Sequence, residues 1–505
     1  MKKAFLCYLL FCLPGIAALA QGERFVKDSL DAFVQRGMKD WDIPGLAIAV
    51  VKDGKIVVMK GYGERNTSTH EPVDENTLFL VASNTKLFTG TALAQLEYDG
   101  RLSLNDRITK YFPGFRVYDR NTTELVTIRD MLGHHLGTGT FQGDFVFWNT
   151  RLSRSEIMDR MQLLKPTGRF RQSYGYCNSC FLTAGEVIPK VSGKPWEVYV
   201  YDSLVVPAGM TNTHTLTTGI GQRPNASRPY TNAFGGTLKE LPYDQVDNLG
   251  PAGSMVSCVK DMARWLMLQL DSGRIDGRRV LPWAVVRQTR DMNTAISSRK
   301  NAVYPIHFNG YGLGIFMNDY NGRQVFTHTG GAFGFVTSTC FIPEEKLGIV
   351  ILTNNDNQEF FELLRYQLMD AYLGMPYTDR SRQQLGNHRK EMDSSVNEIN
   401  AWKARVKGNT PPLPLAAFTG NYENELYGSI TVSKKGDGLN IKFNSHRSLE
   451  ASLQYMDNGE WLMRYNHIAF GIFATRFMLA NGKVESVSIK ASDFVEYAPY
   501  IFTKK

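Results

Sequence analysis

The stretch Phe79-Leu80-Val81-Ala82-Ser83-Asn84-Thr85-Lys86-Leu87-Phe88-Thr89-Gly90 decides how the rest of the chain is read. Beyond it, Leu87, Phe88, Ala92, Leu93 and Leu96 recur at helical spacing as far as Gly100, which predicts a helix with Ser83 and Lys86 in its first turn. Residues three apart share a helix face. A serine hydroxyl is a weak nucleophile at neutral pH, and a partly desolvated lysine within hydrogen-bond reach helps remove its proton. The helix start adds free N–H groups and a positive dipole end near a nascent oxyanion. Ser-x-x-Lys alone recurs by chance, and an ordinary exposed helix start is its plain interpretation.

Two later segments change that balance. Tyr174-Gly175-Tyr176-Cys177-Asn178 supplies a Tyr-x-Asn between a turn at Pro166-Thr167-Gly168 and a helical stretch from Phe181 to Ile188. A phenol beside a lysine cation is pushed towards phenolate, which makes Tyr176 a candidate general base. Asn178 can donate its amide to a substrate carbonyl while its oxygen orients the lysine. The third segment, Phe326-Thr327-His328-Thr329-Gly330-Gly331-Ala332-Phe333-Gly334, ends an apolar strand. Its glycines let a substrate backbone lie close to the strand edge. Taken singly, a core tyrosine with a helix-capping asparagine and a simple strand end would explain these two.

Ser-x-x-Lys, Tyr-x-Asn and His-x-Gly in this order resemble the serine hydrolase superfamily of penicillin-binding proteins (DD-peptidases) and class C β-lactamases. Other stretches agree over roughly residues 25 to 375. Ile43 to Ile56 looks like the family's opening hairpin, with Asp53-Gly54 as its tight turn. Asp99 to Asp106, Thr127 to His134, and Pro251 to Ala263 are similar to further family segments.

The resemblance implies an acylated nucleophile at Ser83, a proton partner in Lys86 and a general base and acid in Tyr176. Asn178, His328, Thr329, Gly330 and Gly331 would form the oxyanion and substrate-binding side, with the backbone N–H groups of Ser83 and Gly331 facing the oxyanion. A covalent acyl-enzyme splits one hard acyl transfer into two easier steps.

One departure bears on substrate choice. His328-Thr329-Gly330 stands where β-lactamases and many penicillin-binding proteins have Lys-Thr-Gly. Lysine is a permanent cation able to attract a carboxylate, whereas a histidine of pKa near roughly 6.5 is mostly neutral at about pH 7. Strong penicillinase activity is therefore not expected. Cys177 replaces the serine common in the middle of Tyr-Ser-Asn, and its side chain is expected to point away from the acyl site. The class A hallmark Ser-Asp-Asn is absent, which favours tyrosine-assisted deacylation.

Lys2, Lys3, an apolar run from Ala4 to Ala17 and Ala18-Leu19-Ala20 read as a cleavable signal peptide over residues 1–20, so a periplasmic or secreted protein is expected. The run is too short for a membrane span, and Phe11 before Cys12 is too bulky for a lipobox. Removing the leader lowers the formal charge from +8 to +6. This mild excess suits acidic substrates or envelope surfaces, and no basic cluster resembles a nucleic-acid site.

Cys177, Cys180, Cys258 and Cys340 are too few for a disulfide scaffold in a domain of this size. Cys177-x-x-Cys180 has redox or zinc spacing, yet it overlaps Tyr-x-Asn and lacks a second pair; buried small side chains are the default. His134-His135 lacks any His-Glu-x-x-His context, and His134 lies where the family has a structural histidine. No metal and no cofactor are expected.

The chain divides into residues 21–376 as the hydrolase domain, 377–414 as a helical linker and 415–505 as a lipocalin-like barrel. The last segment carries short strands such as Leu439 to Phe443 and Glu460 to Tyr465, with turns at Gly436-Asp437-Gly438 and Asn481-Gly482. Packing or oligomerisation is the plain role for that barrel; a lid or selecting wall over the acyl site is the functional one. The aromatic loop Phe141 to Trp148 is read both as pocket lining and as core.

The expected protein is thus a mixed α/β (α+β) hydrolase with an antiparallel sheet flanked by helices, followed by an antiparallel β-barrel. Hydrolysis of an ester, peptide or amide through acyl-Ser83 is the first expectation, with a small-molecule or peptide substrate and possible self-association. Alternatives are transfer of the acyl group to an alcohol, a weak β-lactamase, and a penicillin-binding protein that acylates without turnover. Intact Tyr176 and Asn178 argue against a dead site.

Overall fold

The strand Gly45–Lys52 is buried along its whole length, and its alternate residues belong to two different cores. Leu46, Ile48 and Val50 pack with Phe33 and Val34 of helix Leu30–Asp40 and with Phe360, Leu364 and Leu368 of helix Phe360–Tyr372. Ala47, Ala49 and Val51 face the other way, into the core that holds Met262 and Leu266 of helix Val259–Leu270. A strand covered on both faces loses the polar alternation of a half-exposed one, which explains its unbroken apolar run. Each Val, Leu or Ile buried this way contributes roughly 1.5–3 kcal/mol.

The computed structural model describes residues 13–505. The charged start at Lys2 and Lys3, most of the apolar leader and Cys12 lie outside the described residues.

Gly45–Lys52 sits in a nine-stranded sheet whose neighbouring strands are all antiparallel. The expected opening hairpin is present: Lys52 pairs with Lys55, and Asp53 and Gly54 take φ of 51° and 75°. Those positive angles are what a two-residue hairpin turn demands. The run Arg323–Ala332 lies between Phe316–Tyr320 and Phe335–Ile342 in the same sheet. Pairing with Phe316–Tyr320 stops at Phe316 opposite Thr327, whereas pairing with Phe335–Ile342 continues to Ala332. Residues 328–332 therefore present one unpaired backbone edge towards the helical part of the domain.

Helix Arg380–Arg405 follows, anchored at its start by Arg380 on the buried Asp370 at 3.0 Å and at its end by Ile399 packed with Met456, Leu462 and Ile472. Its 26 residues span about 39 Å at ~1.5 Å per residue. Eight antiparallel strands from Gly420–Asn424 to Tyr500–Lys504 then close into a barrel. Its interior is filled by side chains, with Phe418, Trp461 and Phe477 meeting edge to face. The sequence reading located the central strands and missed Gly420–Asn424, Glu450–Tyr455 and Tyr500–Lys504, which carry charged or polar residues at exposed positions.

Candidate active site

Ser83 stands on a short 3₁₀ turn, Ala82–Asn84, that runs directly into helix Thr85–Tyr98. Ala82, the residue before it, has a φ of 46°, a left-handed conformation that costs a non-glycine residue on the order of 1 kcal/mol. The strand Arg323–Ala332 passes so close that a Cβ on Gly330 would lie 2.1 Å from the Val81 carbonyl oxygen. Glycine at that position lets the strand edge reach the turn that carries Ser83.

Lys86 lies one helical turn from Ser83 and is completely buried. Its ammonium donates to Ser83 Oγ at 3.1 Å, to Asn178 Oδ1 at 2.7 Å and to the Ala252 carbonyl at 2.7 Å. Every donor of the amine has an acceptor. Burial lowers its pKa to about 7, opposed by the nearby Asp144 and Cys177. At neutral pH a large fraction of Lys86 is thus a free amine touching the serine hydroxyl.

Tyr176 is held by Phe141 N–H donating to its carbonyl and by its own N–H donating to Thr140 Oγ1. The expectation of a phenolate fails on geometry. Lys86 Nζ lies 4.7 Å from the ring centroid, over the face of the ring, and burial raises the phenol above its ordinary value; only Ser83 counteracts this. Tyr176 is a protonated phenol in the free protein.

Asn178 begins helix Asn178–Gly185 and, as expected, turns its oxygen to Lys86. Its amide donates to Asp144 Oδ2 at 2.7 Å, an engagement the sequence did not suggest. Asp144 is buried and its carboxyl is held well above the usual range by burial and by Glu496. Glu496 belongs to the loop between the last two barrel strands, Lys483–Ile489 and Tyr500–Lys504.

His328 is buried with both ring nitrogens occupied. Nδ1 lies 2.6 Å from the Thr329 carbonyl and must donate to it, so Nε2 accepts the Tyr311 hydroxyl at 3.0 Å. Burial and Lys86 lower its pKa to about 3, which keeps it neutral. His328, Thr329 and Gly331 line the cavity above Ser83, while Gly330 backs onto Val81.

That cavity measures about 540 Å³. Phe141, Trp148, Tyr174, Ile296 and Phe316 form its apolar walls. Both readings of the aromatic loop hold in part, since Phe145, Val146 and Phe147 are fully buried. Cys177 is buried and does not line the cavity; its N–H donates to Nδ1 of His134, which burial holds neutral. Cys177, Cys180, Cys258 and Cys340 are all free thiols. The fourth wall is unexpected: Asp493, Phe494, Val495 and Tyr497 reach in from the barrel. Phe494 stands over Gly331, where an added Cβ would meet its ring at 3.1 Å, and Tyr497 packs on Phe141 at 5.8 Å. The functional alternative for the barrel, a wall over the site, is what this geometry displays.

The site thus sets a half-buried Ser83 against a fully buried Lys86, between a helical layer and the free strand edge of an antiparallel sheet. The chain belongs to the beta-lactamase family, whose model matches residues 30–373. A second model, a domain of unknown function (DUF3471), matches residues 404–503. Protein flp of Staphylococcus aureus (strain NCTC 8325 / PS 47) is 26% identical over 351 residues, which are 68% of this chain and 66% of that protein. The chain thus spans just under two thirds of the length of that relative. The unguisins hydrolase ungD of Aspergillus violaceofuscus (strain CBS 115571) is 25% identical, covering 79% of this chain and 75% of its own. Two solved structures share the fold. The octameric penicillin-binding protein homologue from Pyrococcus abyssi has a TM-score of 0.61 at 19% identity, over 94% of this chain and 99% of that one. A D-stereospecific amidohydrolase from Streptomyces sp. has a TM-score of 0.54 at 22% identity, over 67% and 94%.

Proposed function

We propose that the protein is an exported serine hydrolase that cleaves an ester, peptide or amide through an acyl-Ser83 intermediate. The observation that carries this reading is the buried Lys86, with Nζ 3.1 Å from Ser83 Oγ and a pKa lowered to about 7. Neutral Lys86 takes the Ser83 proton as Oγ attacks the carbonyl carbon. The oxyanion is received by the N–H groups of Ser83 and Gly331; one such donor is commonly worth about 2.7–4 kcal/mol. As the tetrahedral adduct collapses, the leaving atom takes a proton from Tyr176, whose hydroxyl is replenished from Lys86. Water then enters, gives a proton back along the same route and releases the acid.

Export rests on the leader read in residues 1–20, and among the described residues no helix is long and apolar enough to cross a membrane. A penicillinase role is disfavoured. No lysine or arginine lines the cavity, Lys86 lies beneath it, and His328 is neutral. Transfer to an alcohol uses the same residues, and the apolar walls of Phe141, Phe316 and Phe494 suit a bulky acceptor. Acid-quenching the reaction with a p-nitrophenyl ester and sequencing the active-site peptide tests the central claim. An acyl mass on Ser83 supports it, and an acyl mass on any other residue refutes it; a competing alcohol in the same assay separates hydrolysis from transfer.

A further inference from the structure

Phe494 has two sides. One lines the catalytic cavity; the other lines a second cavity of about 310 Å³ bounded by the hydrolase domain, helix Arg380–Arg405 and the barrel. Phe333, which follows the free edge 328–332, stacks on Phe494 at 5.9 Å and also lines the second cavity. A substrate laid along that edge towards Ala332 therefore meets Phe494 and the space behind it. With the leaving half placed at Tyr176, its proposed proton donor, an acyl half that follows the strand edge passes Gly331, over which Phe494 stands.

The second cavity has a definite chemistry. Phe234, Phe333 and Phe494 supply three aromatic rings, and Asp356 and Glu391 two carboxyls. No lysine or arginine lines it. Asp356 Oδ2 accepts the Gly334 N–H at 2.8 Å, while Oδ1 has no partner with hydrogen-bond geometry. Glu391 is exposed on the helix and takes part in no ion pair among the described residues. His388, the other titratable lining group, is lowered by burial and packs on Trp41 at 4.8 Å. On the catalytic side of Phe494 the lining carboxylate of Asp493 is paired with Lys490 at 3.0 Å. Burial raises Asp356 to about 6, so it is mostly ionised at neutral pH, and neither it nor Glu391 has a cation partner among the described residues; aromatic faces next to such carboxylates attract organic cations and repel anions.

We propose that this second cavity binds an ammonium group carried at the far end of the substrate's acyl half, so that Phe494 separates the bond-breaking site from a cation subsite. The assignment rests on the acyl-Ser83 reading for its place in catalysis, though not for the binding itself.

The test uses p-nitrophenyl esters of straight-chain acids ending in trimethylammonium, in a series of rising length, each paired with the neutral ester ending in tert-butyl. The two ends match in shape and differ in charge. Expected is a kcat/KM ratio of cation to neutral of about tenfold at one chain length, falling close to one in Glu391→Gln and Asp356→Asn. Each ratio is internal to one protein, so partial loss of folded enzyme cancels. In parallel, binding of hexyltrimethylammonium to Ser83→Ala protein is measured by calorimetry and is expected to weaken about tenfold on adding either substitution. A wild-type ratio at or below one at every length, or ratios and binding unchanged in both variants, overturns the subsite. Ester turnover retained in Ser83→Ala would instead overturn the acyl-Ser83 reading, with the calorimetry still deciding the cavity.

Discussion

Glu496 brackets Asp144 from the other domain: its carboxylate accepts the N–H of Gly143 at 2.9 Å and of Phe145 at 3.1 Å, and the Tyr500 hydroxyl at 2.8 Å. Asp144 in turn accepts the amide of Asn178, whose oxygen holds Lys86 against Ser83. A continuous set of contacts thus runs from the C-terminal barrel to Ser83. Nearby, Arg151 N–H donates to the Ser445 carbonyl at 2.9 Å and Arg160 to the Tyr427 carbonyl at 2.8 Å, fixing the same interface. The barrel is part of the frame around Ser83.

Glu496→Ala should leave two buried N–H groups without partners, at about 1–3 kcal/mol each. The expected result is a lower melting temperature together with a lower kcat, because the loop carrying Asp144 loses its support. Glu496→Gln keeps one acceptor oxygen and should fall between. Thermal unfolding and ester kinetics on the three proteins check the order.

Activity should rise with pH through a limb near 7. In the proposed mechanism Lys86 accepts the Ser83 proton only as the free amine, and burial brings its pKa down to about 7, so protonation below that value removes the base. The limb is read from kcat/KM for a neutral ester. Lys86→Arg keeps a permanent cation at the site and should lose on the order of 10²-fold or more at every pH.

Nitrocefin should be turned over slowly. His328 offers no positive charge to the β-lactam carboxylate, since both its nitrogens are engaged and it stays neutral down to about pH 3. His328→Lys places an amine beside Tyr311 at the cavity wall and should raise the acylation rate by about tenfold, the effect of one charge pair. Stopped-flow absorbance on both proteins decides it.

Two glycine substitutions should move stability in opposite directions. At Gly330 an added Cβ would meet the Val81 carbonyl at 2.1 Å, backbone against backbone, so Gly330→Ala should destabilise and displace the Ser83 turn. At Gly386, inside helix Arg380–Arg405, nothing lies within 4 Å, and Gly386→Ala should stabilise by about 0.5–1 kcal/mol. Denaturant titration of both variants measures the two signs.

How much of this was legible in the chain follows from which contacts are local. Ser83 and Lys86 meet because they are one turn apart, and the Asp53-Gly54 hairpin closes because its residues tolerate positive φ. Tyr176, Asn178 and His328 could be named from their motifs, but not their electrostatics. Whether a lysine faces the edge or the face of a phenol, and how deeply both are buried, depends on packing between segments ninety residues apart in the chain. Asp144 lies unremarked inside the aromatic loop Phe141 to Trp148, because its role depends on Asn178 and on Glu496, 352 residues further on. Glu496 sits in Ala491-Ser492-Asp493-Phe494-Val495-Glu496-Tyr497, a stretch without periodicity or motif. An acidic residue among aromatics next to a strand was the one available hint. Phe494 and Tyr497 were invisible for the same reason, since nothing local to the barrel indicates which of its loops meets the hydrolase domain.

The most direct test of the account is the intact mass of the purified protein and of its Ser83→Ala variant after exposure to a fluorophosphonate, with p-nitrophenyl ester turnover followed alongside. One adduct per chain and measurable turnover are expected, both lost in Ser83→Ala. Equal labelling and equal turnover in the variant would contradict it and would leave the Ser83–Lys86 contact as an inherited piece of the fold.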